Sequence, residues 1–88
     1  MDNELNLIEE YASLYLTISE ISILLDLNEE ELRREVRGGK TDRAKAYLKG
    51  KLQTELELRK STKQFAEKGS PQAESLMNEY AIKQRLNE

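Results

Sequence analysis

Apolar residues recur along this chain with the period of a helix and nowhere settle into the alternation of a strand. Ile8, Tyr11, Ala12 and Tyr15 stand at i, i+3, i+4 and i+7, one face of a helix over about residues 3–16. Leu5, Leu7, Leu14 and Leu16 widen that face, so the first helix is expected to be well buried. Thr17 and Glu20 have capping-box spacing ahead of a short second helix, about 18–25, whose stripe is Ile21, Leu24 and Leu25. Asp26 and Leu27 make the turn that follows, since Asp tolerates left-handed backbone better than most residues with a side chain. Asn28 caps a third helix over about 29–37, with Leu32 and Val36 inward, and Gly38-Gly39 ends it. Thr41 caps a fourth, about 42–68, with Ala44, Leu48, Leu52, Leu56, Phe65 and Ala66 as apolar positions and Tyr47 beside them. Gly50 is its interior breaker. The tract KGSPQ then supplies an exit glycine (Gly69), a cap (Ser70) and a first helical residue (Pro71) for a fifth helix, about 71–86, carrying Ala73, Leu76, Met77 and Tyr80 on one face.

The pattern therefore predicts an all-α protein. An N-terminal helix-turn-helix three-helix unit, residues 1–39, precedes an antiparallel hairpin of one long and one short helix, residues 40–88, expected to carry oligomerisation. The fourth helix spans about 40 Å at about 1.5 Å per residue. A compact domain of this chain length is only about 30 Å across. That helix must project, bend or pack against another chain. Leu48, Leu52 and Leu56, set against Leu76 and Met77, are the candidate oligomer interface.

Several features of TISEISILLDLNEEELRREV, residues 17–36, match a helix-turn-helix position by position, the alternative being an ordinary helical pair in a small bundle. Ile21 and Leu25 face the core, Ser22 is the small residue at the crossing of the two helices, and Leu27 and Leu32 bracket the capped second helix. Asp26 stands where the motif prefers Gly. On a helix turning about 100° per residue, Leu32 and Val36 lie together and Arg33, Arg34 and Arg37 share the outward face with Glu30. Glu29 and Glu30 are spaced to pair with Arg33 and Arg34 at i, i+4. Three carboxylates at a helix start suit the helix dipole; they can accept from cytosine but repel the backbone phosphates.

Charge changes the picture more than composition does. The net charge of −3 hides a segregation: residues 1–32 carry −9, residues 33–51 carry +6, and residues 52–88 are neutral. Two consequences are open. A polyanion could bind the basic middle, or the acidic N-terminal half could neutralise it internally. Arg33, Arg34, Arg37, Lys40 and Arg43 are the candidate phosphate-contacting residues, with weak sequence preference expected. The chain has no Cys and no His, which removes disulfide scaffolds, Cys/His zinc sites and His-based triads. No catalytic or metal-ligand spacing and no glycine-rich phosphate loop is visible, so neither an enzyme nor a cofactor is expected. The four tyrosines fall on apolar stripes and are expected in core or interface. No apolar run has the length of a membrane span, and a cytoplasmic location is expected.

The order of parts resembles the small subunit of a phage DNA-packaging terminase. The resemblance rests on the acidic first helix leading into TISEISILLDLNEEELRREV, followed by AYLKGKLQTELELRKSTKQFAEKGSPQAESLMNEYAIK. Within it, FAEKGSPQAESLM resembles the tight helical hairpin of that family. The resemblance implies an N-terminal module that engages double-stranded viral DNA, a hairpin that builds a homo-oligomer, and a terminase large subunit as partner for the ATPase and nuclease steps. A small helix-turn-helix transcriptional regulator and a protein–protein adaptor without DNA binding are the competing classes.

Overall fold

The computed structural model describes residues 3–88. Among them there is no strand, and the chain is all-α: α1 (Asn3–Ser13), α2 (Ile18–Leu25), α3 (Glu29–Gly38), α4 (Asp42–Glu67) and α5 (Pro71–Leu86). The starts of α2 to α5 have the chemistry read from the sequence. Thr17 Oγ1 accepts from the Glu20 amide while the Glu20 carboxylate accepts from the Thr17 amide, a complete capping box. Asn28 accepts from the Glu31 amide, Thr41 from Ala44 and Ser70 from Ala73. Asp26, at φ 55°, takes the left-handed turn residue.

The chain divides into two compact units, one up to Thr54 and one from Glu55 to Glu88. The position 39/40 falls in the connection between α3 and α4, whereas packing divides the chain inside α4. In the first unit Ile8, Ala12, Ile21 and Leu32 form the buried cluster, and Tyr11, Leu16, Ile18, Leu25, Leu27, Val36, Ala46 and Tyr47 pack around it. The first half of α4 belongs here because Gly50 lets it meet the α1 backbone. A Cβ at Gly50 would stand 2.1 Å from the Glu9 carbonyl oxygen. One turn further on, Thr54 Oγ1 donates to the Ser13 carbonyl, one of the acceptors that the end of α1 leaves unpaired. In the second unit Ala73 is buried and the Arg59 guanidinium lies 4.2 Å from the centroid of the Tyr80 ring.

Three expectations about the first two helices are corrected. α1 stops at Ser13 rather than 16, because the backbone closes a helix-ending turn there: Leu16 N–H donates to Tyr11 O and Tyr15 N–H to Ala12 O. Leu14 and Tyr15 consequently leave the apolar stripe, and both are more than half exposed. On α2, Leu24 is exposed; the inward stripe is Ile18, Ile21, Ser22 and Leu25, at i, i+3, i+4 and i+7. Ser22 takes the inward place, 4% exposed, and its Oγ has no hydrogen-bond partner among the described residues.

Candidate functional site

α3 presents its inward side through Leu32 and Val36, which leaves Arg33, Arg34 and Arg37 exposed on the other. These three arginines, with Glu29 and Glu30, line an open cleft of about 550 Å³. Arg34 also lines a neighbouring cleft of about 530 Å³ together with Glu31, Glu35, Lys40 and Thr41, where the chain leaves α3 and enters α4. Four of the five basic residues singled out in the sequence are thus contiguous.

Their partners differ. Arg33 is paired with Glu29 at 2.7 Å, and Ser19 Oγ donates to the same carboxylate oxygen at 2.7 Å. These hydrogen bonds, Arg33 first and Ser19 second, hold the Glu29 carboxyl below its ordinary range. The expected Glu30–Arg34 pair does not form: among the described residues, Arg34, Arg37 and Lys40 have no ion-pair partner. Their charge is therefore directed to solvent.

Arg43 lies elsewhere. Its Nε donates to Glu4 at 2.7 Å, its Nη2 to the other Glu4 oxygen at 3.4 Å, and its Nη1 to Glu35 at 3.2 Å and Glu31 at 3.5 Å. The side chain is 27% exposed. The guanidinium is held still further above its already high pKa, chiefly by the Glu4 bond. Three carboxylates from α1 and α3 thus converge on one cation from α4, which clamps the first unit and removes Arg43 from the exposed face. Nothing in the sequence signalled this cluster, because Glu4 and Arg43 are separated by 39 positions. Internal neutralisation, one of the two consequences of the segregated charge, consumes Arg43 and engages Arg33, and leaves Arg34, Arg37 and Lys40 unpaired.

The candidate interface residues also divide. Leu52, Leu56 and Leu76 are exposed at 64%, 53% and 41%, while Leu48 and Met77 are half-buried. Among the described residues no helix is long and apolar enough to cross a membrane.

No family model matches the chain, and neither the curated proteins nor the solved structures give a match.

Proposed function

We propose that this protein is a non-catalytic, DNA-binding and self-associating module of phage terminase small-subunit type that grips double-stranded DNA mainly through the phosphate backbone. The observation that carries the reading is the contiguous exposed cationic surface of Arg33, Arg34, Arg37 and Lys40, three of which have no ion-pair partner among the described residues. The helix-turn-helix reading of α2 and α3 supports it, with α3 as the helix that meets the duplex. Glu29 and Glu30 at the start of α3 disfavour base-edge contacts there, so affinity comes from phosphates and sequence preference is weak. The partners this reading implies are duplex DNA, further copies of the chain, and a terminase large subunit, in the cytoplasm.

The test is fluorescence anisotropy with a labelled duplex across a salt series. Each phosphate neutralised contributes about −0.9 to the slope of log K against log salt. Four cations set a limit of about −3.6, and the competition of Glu29 for Arg33 brings the expected slope to roughly −2 to −3. Replacing Arg34 and Arg37 by Ala should weaken all duplex sequences alike and reduce the slope by about 2. Glu30→Gln should strengthen binding by removing a like charge that faces the phosphates. Absence of salt-dependent binding even at low salt would overturn the reading. Self-association is tested separately: Leu52→Glu with Leu56→Glu should lower the mass seen by light scattering at micromolar concentration.

A further inference from the structure

α1 and α4 end in the same backbone motif, with different residues at its critical position. At the end of α4, Ser70 N–H donates to Phe65 O and Gly69 N–H to Ala66 O, and Gly69 carries φ 94°. At the end of α1, Leu16 N–H donates to Tyr11 O and Tyr15 N–H to Ala12 O, and Tyr15 carries φ 65°. A left-handed conformation is natural for glycine and unfavourable for a bulky aromatic residue. Burial does not account for the choice, since Tyr15 is 52% exposed. Tyr15 lines a cleft of about 250 Å³ at the α1–α2 junction, together with Leu16, Ile18, Arg33, Tyr47 and Lys51. Two aromatic side chains and an aliphatic floor meet two cations there. Lys51 is exposed and without an ion pair among the described residues, and Arg33 is shared with the phosphate-contacting face of α3.

We propose that this cleft binds one unpaired nucleotide of a DNA strand, its base against Tyr15 and Tyr47 and its phosphate toward Arg33 and Lys51. Aromatic surface beside cationic side chains is the chemistry that takes single-stranded nucleic acid, and its stacking is tolerant of sequence because every base has a π-face. The inference rests on the DNA-binding reading and adds to it: duplex lies along α3, and an unpaired nucleotide next to that duplex enters the cleft. A short single-stranded extension or a frayed end supplies one.

The experiment compares two labelled duplexes that carry the same short single-stranded extension, one with bases and one abasic. Both have the same phosphates, so a difference reports the base alone. Wild type should bind the base-bearing extension about fivefold or more tightly. The chain has no Trp, so quenching of tyrosine fluorescence should accompany that binding. Tyr15→Phe keeps the ring and should keep the preference. Tyr15→Gly should abolish most of it while retaining helicity and affinity for the abasic probe. Lys51→Ala, at an exposed position, should weaken binding to the base-bearing extension more than binding to blunt duplex. Equal wild-type affinity for the two extensions, with salt-dependent binding intact, overturns this inference alone. A Tyr15→Gly variant that keeps the preference also overturns it. Absence of salt-dependent binding to every probe overturns the duplex reading, and this inference with it.

Discussion

Gly50→Ala separates helix propensity from helix packing because the two act on it with opposite signs. Gly50 is interior to α4. Propensity alone says that Ala there should stabilise the helix by about 1 kcal/mol. The added Cβ, however, would stand 2.1 Å from the Glu9 carbonyl oxygen, 2.9 Å from the Glu9 carbonyl carbon and 3.1 Å from the Ala12 Cβ. Ordinary contact begins near 3.4 Å, so α1 and α4 must separate by about 1.3 Å at this point. No rotamer change relieves the overlap, because the nearest atoms are backbone. Separation also loosens Ala12, a member of the four-residue buried cluster, and the Thr54 to Ser13 hydrogen bond one turn away. Overpacking of this kind costs about 1–3 kcal/mol, and a backbone obstacle belongs at the upper end. The net destabilisation is then about 2 kcal/mol after the propensity gain is subtracted. For a chain of this size that lowers Tm by roughly 8–16 °C. Thermal unfolding followed by far-UV circular dichroism measures it. Gly38→Ala is the control. Gly38 is helical, has no positive φ, and has nothing within 4 Å of an added Cβ, so Ala there should raise stability by about 0.4–1 kcal/mol. A Gly50→Ala protein that melts at or above the wild-type temperature would refute the packing argument and leave propensity as the governing effect.

Other perturbations probe separate contacts. Ser22→Ala should stabilise by about 1 kcal/mol in chemical denaturation, because it removes a buried hydroxyl that has no hydrogen-bond partner; destabilisation would mean the hydroxyl is satisfied in solution. Arg43→Met should destabilise the first unit by roughly 1–3 kcal/mol, since Glu4, Glu31 and Glu35 lose their common cation. The same variant should leave the salt slope of duplex binding unchanged, and a drop of about 1 in that slope would return Arg43 to the phosphate-contacting set. Glu29 should titrate below the ordinary glutamate value in a carboxyl-carbon NMR experiment, and Arg33→Ala should move it upward. Because the folded-state pKa is the lower one, the Glu29 contribution is present at neutral pH and is lost as pH falls through that lowered value; an unshifted titration would deny the Arg33 and Ser19 hydrogen bonds.

The sequence by itself determined the five helices and, apart from the end of α1, their approximate bounds. Helix starts and stops depend on residues within one turn of each other, so Thr17 with Glu20, Asn28 with Glu31, and Gly69 with Ser70 and Pro71 declared them without reference to the rest of the chain. The bounds of α2 and α5 were legible to the residue for that reason. The inward pair on α3 was legible too, because Leu32 and Val36 are the only large apolar residues that helix has. Tertiary structure decided what the local code leaves degenerate. Tyr15 fits the helical stripe of Ile8, Tyr11 and Ala12 in spacing, yet the chain must turn after Ser13 to bring α2 beside α1. Leu24 and Leu25 are equally apolar, and only the crossing at Ser22 selects which of them faces in. Gly50 looked like a weak point of a long helix, and becomes intelligible only beside the Glu9 carbonyl, 41 positions earlier in the chain. Arg43 was indistinguishable in sequence from Arg34 and Arg37. Coulombic attraction has no sequence signature when its partners lie on other helices, so the fold alone assigned Arg43 to Glu4, Glu31 and Glu35 and left Arg34 and Arg37 without an ion pair among the described residues.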